Sequence, residues 1–368
     1  MPSNSMNALF ASGDVGGARA IIPIIERCLK EGIGIVFSDN GQISKEAPNH
    51  WLKLSPAALG SKALLETFLH KNNIRVFIFA SSLKDATALS LARQMKNLNR
   101  PVIHVLDNWT LYRGRMETDG LPVFIPDHYA VMDDMAYRTA IEDGIDESTL
   151  MITGQPALAN LAAEFAQWKR KIDRSILNQA GFDPGKRLIS FISEPVEHDQ
   201  GATLKTPGYR GYTEKEIIRR FCEILQPFAQ DIQIAILPHP REEQDALAEL
   251  WNANKGNLFG KILNLTRGRY GVFMSDGVAG MGSLLMYEAW LLGKPVISIQ
   301  PGLRIPSLQM LQHRQDVVFV DSYSRISESL IDWLFGVIKG LNYNIRPDLA
   351  LHEKAPEILC NLIKSYMH

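Results

Sequence analysis

The stretch Ser275–Pro301, SDGVAGMGSLLMYEAWLLGKPVISIQP, decides how the chain is read. The apolar run Gly271–Ser275 at its start reads as a strand, and Gly277, Gly280 and Gly282 then make a loop. Ser283 stands where a helix begins, with its hydroxyl placed to cap free amides. That helix runs to Leu292, and Pro295–Ile299 reads as the next strand. Strand, glycine loop, helix and strand in succession make the crossover unit of a parallel sheet. A helix start of this kind presents unpaired N–H groups and a positive dipole end, which suit phosphate. Glycines let a phosphate approach the backbone, so Gly280, Gly282 and Ser283 are candidate phosphate ligands. Glu288 lies about a turn and a half into the helix and is a candidate for a ribose hydroxyl. The plainer alternative is a tight turn followed by a solvated glutamate.

Working outward, the same alternation fills the chain. Arg187–Ile192 and Gln233–Leu237 read as strands, and Lys215–Phe228, Glu242–Asn252, Ser327–Lys339 and Ala355–Tyr366 as helices. In the first half, Asn7–Ala11, Gly34–Ser38, Arg75–Ala80, Pro101–Leu106, Tyr129–Met132 and Met151–Thr153 read as strands. Ala18–Lys30, Ser61–Lys71 and Leu83–Leu98 read as helices between them. A long polar-faced helix, Leu158–Gln179, and a Gly/Pro/Asp loop, Gly181–Lys186, separate the two sets. The expected fold class is therefore α/β with two Rossmann-like domains, 1–156 and 183–345. Residues 157–182 would be a linker helix region and 346–368 a C-terminal helix. Ligands of such sheets sit beyond the carboxyl ends of the strands.

A length of 368 residues suits two domains. With 39 basic and 40 acidic residues the net charge is −1, so nothing global attracts a nucleic-acid backbone. Cys28, Cys222 and Cys360 are too far apart for a disulfide framework or a metal motif, which fits a reducing cytosol. Met1–Asn7 lacks a basic region, and Ser12 and Asp14 interrupt the apolar stretch that follows, against a signal peptide. No run approaches the ~20 apolar residues of a membrane span. The expectation is a cytoplasmic protein; peripheral contact at the inner face of a membrane and homo-oligomerisation stay open.

Further candidates sit after the expected strands. In Ala235–Glu242, AILPHPRE, two prolines hold His239 in a fixed direction, where its imidazole can meet a phosphate or leaving group; otherwise it is a turn histidine. Ser193, in Ser193-Glu-Pro195, can touch a base or phosphate, or simply lie in a loop. In Phe10–Gly17, FASGDVGG, Gly16 and Gly17 open a helix on the acceptor side. There Asp14 is either a general base or the helix N-cap. The GxGxxG of a nicotinamide site is absent. The loop Asp107–Arg115, DNWTLYRGR, carries a second candidate acid or base in Asp107. Trp109, Tyr112 and Arg113 there are candidates for sugar or acceptor contact, with aromatic plugging of the core as the alternative.

Taken together, Met151–Ala157 (MITGQPA), the His239–Pro240 pair and Gly280-Met-Gly-Ser283…Glu288…Gly293-Lys-Pro295 resemble the GT-B glycosyltransferase superfamily, which includes the UDP-N-acetylglucosamine 2-epimerases. The resemblance implies two facing Rossmann-like domains with a deep cleft, the nucleotide held mainly by the second, and a last helix that crosses back to the first. It assigns phosphate to Gly280, Gly282 and Ser283, and ribose to Glu288. His239–Pro240 is similar to a His-Pro pair that contacts nucleotide phosphate in bacterial surface-polysaccharide transferases, which tilts the donor towards cytidine. The epimerases' paired glutamates are reduced here to Glu288, which ranks epimerase below transferase. The leading expectation is a metal-independent transferase with no cofactor. It would move a sugar from a CMP-, CDP- or UDP-linked donor to a glycan, lipid-linked or small-molecule acceptor in surface polysaccharide or glycoconjugate synthesis. A nucleotide-sugar 2-epimerase or hydrolase is the second reading, and a non-catalytic nucleotide- or glycan-binding protein the third.

Overall fold

The strand Asn7–Ala11 (β1) is apolar after its first residue, and Ala8–Ala11 are wholly buried. Such a strand needs a neighbour on each edge and helices on each face, the environment of a parallel sheet. The computed structural model describes residues 6–48, 50–55, 57, 60–80, 85–171, 175–265 and 268–367. It shows two compact units, Met1–Asn160 with Asp348–His368, and Leu161–Pro347. Of the segment 157–182, residues up to Asn160 thus belong to the first unit and the rest to the second.

In the first unit β1 is joined by Gly34–Ser38 (β2), Leu52–Leu54 (β3), Ile74–Phe79 (β4), Val102–Val105 (β5), His128–Val131 (β6) and Leu150–Ile152 (β7). Among the described residues these make a seven-stranded sheet in the order β3-β2-β1-β4-β5-β6-β7, every pair parallel. The second unit holds Arg187–Ile192 (β8), Ile232–Leu237 (β9), Gly260–Ile262 (β10), Gly277–Gly280 (β11), Val296–Ile299 (β12) and Val317–Val320 (β13). Its order is β10-β9-β8-β11-β12-β13, again parallel throughout. In each sheet the first strand lies inside and the order reverses beside it, at β1/β4 and β8/β11. Such reversals are the switch points where doubly wound folds take ligands. Each unit is therefore Rossmann-like.

One core gathers Phe10, Phe37, Ile78 and Ile103 from the first sheet, Ile21 and Ile24 from the helix Val15–Lys30, and Leu359, Cys360 and Ile363 from the helix Leu349–Ser365. The second gathers Phe191, Ile234 and Ile297 from its sheet with Phe221, Trp251, Leu330 and Trp333 from its helices. Each such side chain contributes roughly 1.5–3 kcal/mol by leaving water. Helix starts are capped as their sequences dictate: Asp14, Ser61, Asp85, Asp133, Thr213 and Ser283 each accept a first-turn amide. Among the described residues no helix is long and apolar enough to cross a membrane.

Two expectations are corrected. The run Gly271–Ser275 is not a strand: Arg269–Met274 is a short helix, and the strand is Gly277–Gly280. The expected long helix Leu158–Gln179 is broken into a 3-10 turn, Pro156–Leu158, and the helices Leu161–Lys171 and Ser175–Gln179; residues 172–174 lie outside the described residues. The helix expected from Leu83 runs over Ala86–Asn97, and Leu83 and Lys84 also lie outside them.

His104, on β5, is fully buried between Phe79 and Tyr129, with ring centroids 4.8 and 4.5 Å away. Neither ring nitrogen has a hydrogen-bond partner among the described residues. Burial, reinforced by the charge of Arg115, holds its pKa well below the usual histidine value. The unfolded chain takes up a proton near pH ~6.5, whereas the folded chain does not, so stability falls as the pH drops below that value. Urea unfolding of the wild type should lose roughly 1 kcal/mol more than His104→Leu between about pH 7.5 and about pH 5.5. Equal losses would refute a neutral buried imidazole.

Candidate functional site

At the carboxyl edge of the first sheet, β1 runs out into Ser12-Gly-Asp14. Asp14 Oδ1 accepts the Gly17 amide at 2.6 Å and starts the helix Val15–Lys30. Its Oδ2 is buried without a hydrogen-bond partner among the described residues. A side chain at Gly16 would collide with the Asp107 carboxylate, so glycine is what lets Asp14 and Asp107 share one side of the loop. Asp85, which the sequence reading passed over, accepts the Gly13 amide at 2.5 Å and caps the helix Ala86–Asn97. Three carboxylates from the ends of β1, β4 and β5 thus surround Gly13–Gly17.

Their electrostatics differ. Burial raises the Asp85 pKa; the amides of Gly13 and Ala88 oppose this, and the charge of Asp14 adds to it. Burial also raises Asp107, against the pull of Arg115 and with a further push from Asp14. Arg115 lies 2.6 Å from Asp107 Oδ1, and its Nε donates to the Thr110 carbonyl. Within the same loop Leu111 holds φ 58°, a left-handed conformation that costs a branched side chain energy. Behind the loop, Gln155 donates its side-chain amide to the carbonyl of Asp107 at 2.8 Å, and His352 Nδ1 accepts the Gln155 backbone amide at 2.9 Å.

Trp109 and Tyr112 do not form the expected sugar platform. Both are about 1% exposed, and Trp109 Nε1 donates to Asp133 at 3.0 Å. Large rings beside a buried polar partner are worth more in the core than in water. Arg113 points outward and pairs with Glu117 at 2.9 Å, so Arg115 is the arginine of this loop that meets a candidate acid.

In the second unit the ends of β8, β9 and β11 lie side by side. His239 sits after β9, half-buried, and its Nδ1 accepts the Arg241 amide at 3.2 Å. That leaves the proton of the neutral ring on Nε2, as a donor. Burial, then the charge of Arg241, lowers its pKa. Glu242 gathers the Ser193 hydroxyl at 2.6 Å and the His239 amide at 2.7 Å. Its pKa is raised by burial against those two bonds. Ser283 caps the helix Leu284–Leu291. The amide of Gly282 donates to Glu194 at 2.6 Å.

Gly280 is corrected with the strand assignment. It is a buried residue of β11, where a Cβ would strike the Ile192 carbonyl and the Met286 sulfur, so its smallness serves packing of strand and helix. Glu288 is corrected too. The helix Leu284–Leu291 is buried nearly all round, and both oxygens of Glu288 are taken by Arg269, at 2.7 and 3.0 Å. Arg269 also reaches Glu164 at 2.9 Å. A charge on such a helix persists only when paired.

No protein-family model matches the chain, and no curated protein matches it in sequence. Solved structures do match. The UDP-GlcNAc 2-epimerase of Neisseria meningitidis bound to UDP-GlcNAc is similar over 98% of this chain and 100% of its own, with TM-score 0.65 and 14% identity. The wall teichoic acid polymerase TagF is similar over 100% and 90%, with TM-score 0.54 and 14% identity. A glycosyltransferase from Rickettsia africae is similar over 99% and 94%, with TM-score 0.60 and 12% identity. The chain has the GT-B fold. The GT-B fold is shared by nucleotide-sugar epimerases and glycosyltransferases, and at these identities the likeness is one of fold.

The Arg269 pair generates a stability prediction. Glu288→Gln leaves a buried guanidinium short of charge and should cost about 3 kcal/mol in urea unfolding. Glu164→Gln, at the wetter end of the same arginine, should cost under about 1 kcal/mol. Equal costs would mean that Arg269 is not held chiefly by Glu288.

Proposed function

We propose that the chain transfers a sugar from a CMP-, CDP- or UDP-linked donor to an acceptor in the synthesis of a surface polysaccharide or glycoconjugate. The observation that carries this reading is the Asp14 carboxylate. One oxygen is fixed by the helix start and the other is buried and unpartnered, beside a glycine loop at a switch point of a GT-B fold. A carboxylate so held can take the proton of an acceptor hydroxyl as that hydroxyl attacks the sugar carbon and the bond to the nucleotide phosphate breaks. Asp107, kept towards its neutral form by burial, is the less suited base of the two. A phosphate bound at the strand ends of the second unit would meet the His239 Nε2–H as a donor, and Ser193 and Ser283 follow β8 and β11 on the same rim. Two structural neighbours, from Neisseria meningitidis and Methanocaldococcus jannaschii, are described with UDP-GlcNAc bound, which supports a nucleotide-sugar ligand.

A second reading, epimerisation or hydrolysis of the nucleotide sugar without an acceptor, is favoured by one observation. Asp85 and Asp107 both flank the loop with raised pKa values, the state of carboxyl groups that donate a proton.

Asp14→Asn should lower turnover by about 100-fold or more while leaving nucleotide affinity within about twofold. Turnover is followed as nucleotide release from CMP-, CDP- and UDP-linked sugars, and affinity by calorimetry with CMP, CDP and UDP. Full turnover by the variant would remove Asp14 from the mechanism. Release at the same rate without any acceptor would favour the second reading. Absence of binding to all three nucleotides would overturn both.

A further inference from the structure

Glu194 follows β8 and spans two partners from separate segments of the chain. Its Oε1 accepts the Gly282 amide at 2.6 Å, and its Oε2 accepts Arg210 Nη1 at 2.8 Å. Both side chains are nearly out of water, with Glu194 13% and Arg210 10% exposed. Arg210 is held from its other side, where Nε donates to Gln200 at 2.6 Å. The arginine and the amide are thus positioned by independent segments, and an anion is what they converge on. The anion present is the protein's own carboxylate. It stands where the backbone leaves β11 for Ser283.

We propose that Glu194 is a built-in competitor for an oxyanion seat. A phosphate oxygen of the ligand displaces the Glu194 carboxylate, taking over the Gly282 amide and Arg210, so Arg210 is a phosphate-binding residue held in reserve. The chemistry favours exchange. A guanidinium presents a flat fork that fits two oxygens of a phosphate as well as those of a carboxylate. A diphosphate ligand brings more negative charge than the glutamate it replaces, and Glu194, two residues beyond the end of β8, regains hydration when it swings out. The cost of breaking the internal pair is subtracted from every binding event. The seat therefore discriminates against singly charged anions, which gain nothing over the resident carboxylate, and favours the diphosphate class. The inference rests on the nucleotide reading for the identity of its ligand, but the seat can be tested with an anion that has no base.

The test is calorimetric titration of the full chain with inorganic pyrophosphate at constant ionic strength. Glu194→Gln keeps the shape of the side chain and removes its charge, and should bind pyrophosphate at least about tenfold more tightly than wild type. Adding Arg210→Lys to that variant should return affinity to the wild-type value or below, since a point charge cannot replace the fork. Pyrophosphate binding by Glu194→Gln no tighter than by wild type overturns the proposal. Should Glu194→Gln fail to fold, the wild type carries the test through the Arg210 Nε–H resonance, assigned by its loss in Arg210→Lys. A shift on adding pyrophosphate supports the exchange, and an unmoved resonance at saturation overturns it. The two readings separate cleanly: if CMP, CDP and UDP bind no better than pyrophosphate to Glu194→Gln, the nucleotide reading fails while the oxyanion seat stands.

Discussion

A parallel sheet makes every strand end at the same edge, and this constraint places almost everything of chemical interest in the chain. Each crossover helix must start where a strand has just stopped. Amide-rich turns, capping carboxylates and hydroxyls therefore collect on one rim of each sheet. Asp14, Asp85 and Asp107 meet because β1, β4 and β5 are neighbours, although more than ninety residues separate the outer two. Ser193, Glu194, His239 and Gly282 meet because β9, β8 and β11 are neighbours.

Buried charge is the second organising theme. Glu288 with Arg269, Asp107 with Arg115, and Glu194 with Arg210 are each a carboxylate that the fold has removed from water and an arginine that compensates it. Only the first lies deep in a helix layer, where it ties Leu284–Leu291 to Arg269–Met274 and to Leu161–Lys171. The other two lie at the carboxyl rims of the sheets. The same pairing thus acts as architecture in one place and as a poised polar group in another; what differs is how far the carboxylate lies from the strand ends.

The two-unit α/β fold was legible in the sequence because central strands are apolar on both faces and long enough to stand out, as in β1, β2 and β8. Three edge strands, Leu52–Leu54, Gly260–Ile262 and Val317–Val320, were not: at three or four residues, with one side unpaired, they carry little pattern. The strand Gly277–Gly280 was hidden for a different reason. Two of its four residues are glycines, poor strand formers by propensity, demanded by the pressure of Trp333 and Val337 on Gly277 and of Ile192 and Met286 on Gly280. The apolar segment beside it, GVFMS, looked more like a strand than the true one, and periodicity cannot separate such short runs. At the candidate sites, Asp14, His239 and Ser283 stand out in the sequence by their places after strands. Asp85, Glu194 and Arg210 were missed because their partners lie far off in sequence. Trp109 and Tyr112 were misplaced because an aromatic in a loop looks the same whether it faces solvent or the core.

The helix Leu349–Ser365 supplies Leu359, Cys360 and Ile363 to the core of the first unit and His352 to the hydrogen bond behind Asp107. The second unit, by contrast, is one uninterrupted stretch. On a ribosome these two facts set an order of assembly. The second unit can close as soon as its own last strand and helix have emerged. The first, although begun earliest, waits with an open apolar face until residues beyond 360 leave the exit tunnel. Of the two units, the one begun first is the one finished last, and through that interval its nascent surface needs shelter from aggregation.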